Sequence, residues 1–300
     1  MIAGNNEVRL DGEKKGSKVK EKTKLGVALW LACVNGHVGQ AAMAIKQGAD
    51  PTFQLKDLEG NTAIHGAALF GRTQMLEYLL SKGGDDINAG NQVQHNLINL
   101  RNGNSQTPLH LVCKAGKMET ACMLLEKGAN VGSVDANGDS PLHLASKNGH
   151  PGCVALLLEA GANVKLKNNN METPEKNVGN GDGSRKIPKD RIVSIKRMLR
   201  PSGYAGRITV VYERGAVVRE GEELDSQIVG SLPEHAVCHS FGSYLNSHGV
   251  QRYLICNSEH GLVGWVSDTI RDQKIVAPIN SYGKLDCQQQ PSVCSICVIS

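Results

Sequence analysis

Nine cysteines, ten histidines and a scatter of acidic loop residues are the side chains of this 300-residue chain with the most capacity for chemistry. Cys294 and Cys297 stand three apart in CSICVIS, a spacing shared by redox pairs, half of a zinc site and lipid attachment points. His65, His110 and His143 recur at one place in a repeated string. A row of imidazoles invites a metal, but rungs set on the order of 10 Å apart cannot share an ion held at about 2 Å per bond. Each follows a Thr or Ser by three residues, where an imidazole hydrogen-bonds the capping hydroxyl and nearby backbone. Cys238 and His239 are neighbours, and neighbours in a strand point to opposite faces, so they cannot act as nucleophile and base. G-x-S-x-G, G-x-x-x-x-G-K-[ST], H-E-x-x-H and dinucleotide fingerprints are absent from the sequence. The Gly-rich GNGDG at 179–183 follows no predicted strand. The expectation is no catalytic residue, no metal, no cofactor and no small-molecule substrate, hence not an enzyme.

The elements that position these residues come from self-comparison. Motif starts at Val27, Thr62, Thr107, Ser140 and Thr173 are 35, 45, 33 and 33 residues apart, and the long interval is a normal period plus an insertion placed in 92–105. Thr or Ser before Pro is an N-cap followed by a ring pre-set for the first helical turn. In LHLA the apolar positions then fall on one face. Gly71, Gly116 and Gly149 end the first helix, and Leu156, Leu157 and Leu158 line the second, which ends at Gly161. Polar turn chemistry such as 135–138 follows. Each unit is a helix, a turn, a helix and a projecting hairpin, and since one unit cannot bury its own apolar face, the units must stack.

TPLHLxxxxGH, LLLExGAN and the 33-residue period resemble ankyrin repeats over residues 24–200, with about four repeats and a degenerate C-terminal cap. In the last unit GNGDGSRKIP replaces most of the first helix, leaving 190–200 as its second. Residues 1–23 read as a flexible basic lead-in, with six lysines against one glutamate between 14 and 24. Ten basic and four acidic residues between 165 and 200 read as a capping region with a wet basic face, or as a contact with anionic lipid.

After Pro201 glycine becomes frequent and apolar residues alternate in RITVVYE, GAVVREG, HAVCHSF, VQRYLIC and GLVGWVSD, which predicts five or so strands in a small closed barrel. VVREGEELDSQIVGSLPEHAVC followed by GLVGWVSD resembles bacterial-type SH3-like domains over 207–271. The expected fold class is mainly α, an ankyrin-repeat solenoid followed by a small all-β SH3-like barrel. The resemblance implies protein binding through the repeats' concave face and hairpin tips, at Asp57, Glu59 and Asn61 and at Asp135, Asn137 and Asp139. Leu97, Ile98 and Leu100 in the insertion either meet the partner or fold back on the next repeat. Trp265 either fills one end of the barrel or lines a groove with Tyr212, Tyr244 or Tyr253.

Residues 272–300 read as a flexible tail. Cys297 is fourth from the end, followed by two aliphatic residues and Ser300, which matches a C-a-a-X box favouring farnesyl. Cys294 is the candidate for a palmitoyl chain, because one prenyl group holds membrane only marginally. The implied localisation is cytoplasmic, at the cytoplasmic face of a membrane. Free thiols and the lack of a secretory leader fit that compartment. Aromatics at 4% and a net charge of +4 give no ground for a nucleic-acid partner. The resulting expectation is a membrane-tethered adaptor or scaffold; the alternative is a soluble regulator or inhibitor of a partner, without lipid.

Overall fold

Lysine, alanine and leucine are frequent near the start of the chain, and the computed structural model forms helices there from Leu10 to Asn35 and from Val38 to Lys46. It describes residues 10–82, 97–181, 187–200, 206–210, 215–220, 227–246, 250–257, 262–267, 269–270, 273–274 and 276–279. Two compact units emerge. One holds residues 1–112, 123–130 and 134–136, the other 113–122, 131–133 and 137–300.

The first unit contains α1 (Leu10–Asn35), α2 (Val38–Lys46), α3 (Ala63–Leu69) and α4 (Thr73–Lys82). Helix α1 corrects the expected lead-in: the basic stretch is the first half of a 26-residue helix. Its C-terminal half packs on α3, with Leu29, Ala32 and Cys33 meeting a buried set that includes Ile64, Ala67 and Ala68. Helices α5 (Pro108–Ala115) and α6 (Met118–Glu126) begin in one unit and end in the other.

The second unit continues with α7 (Pro141–Lys147), α8 (Pro151–Glu159) and α9 (Lys189–Met198). Ser140 is an extended N-cap with Pro141 at the first helical position, as its sequence predicts. Gly71, Gly116 and Gly149 share φ values of 64°, 70° and 70°, a left-handed turn that a Cβ would strain, so each first helix stops there. From Pro174 to Gly179 the backbone forms turns rather than a helix, as the degenerate motif implies, and α9 supplies the second helix of that last unit.

The same unit holds an antiparallel sheet. Its strands are β1 (Gly206–Val210), β2 (Ala216–Arg219), β3 (Ile228–Leu232), β4 (Val237–Leu245), β5 (Gln251–Asn257), β6 (Leu262–Ser267) and β9 (Val276–Ile279), in the order β3-β2-β6-β5-β4-β1-β9. A two-residue pair, β7 (Thr269–Ile270) with β8 (Gln273–Lys274), precedes β9. Alternation sends Ala216 and Val218 inward to pack with Leu232, Cys238, Ile255, Val266 and Val276.

Two expectations are corrected here. The sheet is open, with β3 and β9 as its edges among the described residues, because barrel closure depends on shear and tilt that no strand pattern encodes. The assigned tail starts too early: residues 276–279 pair with β1 in a register from Arg207↔Ile279 to Val210↔Val276. Pro278 disguised that strand, yet an edge is where a sheet tolerates proline.

Candidate functional site

The recurring histidines tie each repeat to the next. His65, His110 and His143 are wholly buried. In each, Nδ1 lies 2.8–2.9 Å from the capping hydroxyl of Thr62, Thr107 or Ser140 and accepts that residue's backbone N–H. Nε2 of His65 donates to the carbonyls of Leu100 and Gln106 at 3.0 Å, and Nε2 of His143 to that of Glu172 at 3.1 Å. Burial holds His65 down to about 4, so its imidazole is neutral. These residues are scaffold, as their spacing predicts.

The hairpins carry a second repeating device that spacing alone did not reveal. The residue just before each cap bonds the residue five before the next cap. Asn102 Nδ2 donates to Asn61 Oδ1 at 2.8 Å, Gln106 Nε2 to Asp135 Oδ2 at 3.2 Å, and Asn168 Nδ2 to Asp139 Oδ1 at 2.7 Å. Asn102 and Asn168 also fold their own turns, each Oδ1 accepting two backbone N–H groups at 2.8–3.0 Å. Register against the caps could have flagged the pairs, since the same two positions are polar each time.

This ladder sorts the predicted tip residues. Asp135 and Asp139 are 6% and 5% exposed, so their carboxylates serve the hairpins rather than an outside partner. Asn61 is half-buried in the ladder. Asp57, Glu59 and Asn137 stay exposed, with Glu59 accepting from Asn104 at 3.0 Å. Of the finger, 92–96 lie outside the described residues. Leu97 and Ile98 are each 2% exposed, which decides the two-way expectation for them: they fold back into the core. Leu100 is half-buried, its carbonyl taken by His65.

Trp265 is 1% exposed and faces the chain's own α9. Its indole N–H points at Ser194 Oγ at 3.4 Å, and the Arg197 guanidinium lies 5.5 Å from its ring and 4.4 Å from that of Tyr244. The two rings meet edge-on at 6.4 Å and 67°, a favoured aromatic geometry. Buried Arg252 donates to the Trp265 carbonyl at 2.9 Å. Arg191 pairs with Glu220 at 2.9 Å, and His239 Nε2 donates to Glu159 at 2.9 Å. Gly264 allows β6 to approach β2, since a Cβ there would collide with the Arg219 carbonyl. Of the two expectations for Trp265, its burial favours the packing one, with the ring joining sheet to helix. A single contact between segments 71 residues apart leaves no periodic trace.

Six thiols fall among the described residues, and all are free. Burial raises Cys33 to about 12 and Cys238 to about 11, and pushes Cys113 and Cys256 up as well. Such thiols are poor nucleophiles. Cys238 is buried while His239 reaches outward to Glu159, the opposed orientation that their adjacency predicts. Among the described residues no group of acidic, His and Cys side chains could hold a metal ion. Cys294 and Cys297 lie outside the described residues, as does Tyr212.

A family model described as ankyrin repeats (3 copies) matches residues 86–168, and a second, ankyrin repeats (many copies), matches residues 29–80. Over those residues the helical part of this chain is made of ankyrin repeats. Ankyrin repeats are protein-interaction modules, generally without catalysis of their own. The polar ladder and the buried histidines are thus the frame of these ankyrin repeats, and the exposed tips are what the frame presents.

Proposed function

We propose that the chain is a non-enzymatic adaptor whose ankyrin repeats hold a protein partner and whose C-terminal cysteine carries it to the cytoplasmic face of a membrane. The observation that carries the binding half is the division of the hairpins. Asp57, Glu59 and Asn137 are exposed, while Asn61 is half-buried and Asp135 and Asp139 are buried in the polar ladder. Loop tips on a rigid scaffold can vary without disturbing the core. The sheet, with its SH3-like sequence strings, serves as a second module seated against α9, so a partner would reach it at surfaces other than Trp265.

The tether rests on Cys-Val-Ile-Ser, residues 297–300, as the chain's last four. In the reaction a thioether forms between Cys297 Sγ and the first carbon of farnesyl diphosphate, the thiol proton is released, and diphosphate departs. Cys294 would then take a palmitoyl chain as a second hold, since one prenyl group alone binds reversibly. Intact mass after incubation with farnesyltransferase and farnesyl diphosphate tests the first step: the chain should gain one farnesyl and Cys297→Ser none. In cells, equal membrane partition of the two forms would overturn the tether and favour a soluble regulator acting through the same repeats.

A further inference from the structure

Helix α9 has two different sides. Ser194, Ile195 and Met198 are buried, and Arg197 turns toward the Tyr244 and Trp265 rings. At 100° per residue, Lys189, Val193 and Lys196 fall within about 60° of one another on the opposite side, and Arg200 follows two residues past the helix end. All four are exposed, Val193 by 42%. Among the described residues none of the three cations on this stripe has an ion-pair partner. Asp190, the carboxylate of this helix, lies about a quarter turn away, and Arg191 is already paired with Glu220.

We propose that this stripe is a membrane-contact face for anionic lipid headgroups, with Val193 entering the headgroup layer between the cations. The proposal rests on the tethering reading, to which it adds an electrostatic hold beside the lipid chains. Charge complementarity gives the occupant, because cations near an anionic leaflet each add affinity. Shape separates lipid from an acidic peptide: the stripe is the convex side of a helix, suited to a planar surface, whereas a peptide needs a groove. Chain length permits it too. About 17 residues separate Ile279 from Cys297, and at up to 3.6 Å per residue they reach roughly 60 Å. The segment between 273 and 300 has only Lys274 and Lys284 as cations, so basic charge must come from the folded part.

The test uses the full chain carrying Cys297→Ser, so that its outcome does not depend on prenylation. At low salt it should sediment with vesicles of phosphatidylcholine containing 30% phosphatidylserine, and much less with phosphatidylcholine alone. Lys189→Ala, Lys196→Ala and Arg200→Ala together should lower partition on the order of a hundredfold with the melting temperature unchanged. Lys189→Arg with Lys196→Arg should keep it, and Val193→Ser should weaken it. Equal binding to both vesicles, or full binding by the triple alanine variant, would overturn the proposal. Retention on polyglutamate without vesicle binding would overturn it in favour of an acidic protein. Failure of Cys297 to accept farnesyl would leave the vesicle result standing and remove only the tether.

Discussion

The ankyrin hairpins and the seam between the sheet and helices α8 and α9 are both held by side-chain contacts, but they are built on opposite plans. In the hairpins the same contact is made three times, between positions fixed relative to the caps: Asn61 with Asn102, Gln106 with Asp135, Asp139 with Asn168. At the seam every contact is made once, between segments far apart in the chain: Trp265 with Ser194, Tyr244 with Arg197, Glu159 with His239. The repeat plan spreads stability over many small equivalent terms, since neighbours supply the interface. The seam concentrates it in one large aromatic side chain. The difference also frees different surfaces: hairpins bury some acidic residues and expose others, whereas the seam consumes the aromatic surface that a sheet would offer a ligand.

Removing the seam's anchor should have the largest effect. Trp265→Ala deletes a fully buried ring and leaves a cavity, so urea unfolding of the full chain should show a loss of about 3–5 kcal/mol. A loss within experimental error would mean that the seam does not concentrate stability, and the contrast with the repeats would fail.

Next comes acid. His65 is held at about 4 against an ordinary 6.5 because it is buried without charge. Between those values the unfolded chain binds the proton and the folded chain does not, so stability is full above pH 6.5 and is lost as pH falls toward 4. The contribution is about 3 kcal/mol. NMR titration should show the His65 ring neutral down to near pH 4, and a midpoint between 6 and 7 would contradict the buried frame.

The smallest effect separates neighbours within one hairpin. Asp139→Ala breaks a ladder bond and leaves Asn168 Nδ2 without that acceptor, costing about 1–3 kcal/mol, more than Asn137→Ala, at an exposed position, costs. Equal melting shifts for the two would erase the distinction between frame and tip.

Much of this could be read before any fold was known, for a reason visible in single residues. Ser140 and Pro141 start a helix wherever they stand, His143 three residues on reaches back to the cap, and Gly149 takes a φ that stops the helix. Five strands showed through alternation. Strand β3 did not, since its exposed Ile228 and Val229 break the pattern, and β9 hid behind Pro278. The tip residues were legible as a group but not individually. Asp135, Asn137 and Asp139 look alike in sequence, and only their geometry separates two buried acceptors from one outward amide.

The repeat, its caps and its imidazole frame are written in the chain, because these are contacts at short, recurring separations that local propensity and periodicity encode. The chain also carries the candidate lipid box, which is a property of residue order alone. It took the packed fold to show that Leu97 and Ile98 lie inward, that residues 276–279 complete a sheet, and that Trp265 packs against α9. Those outcomes depend on which distant surfaces meet, and burial of an apolar side chain is favourable against any partner of suitable shape, so nothing local in the chain says which partner it will be.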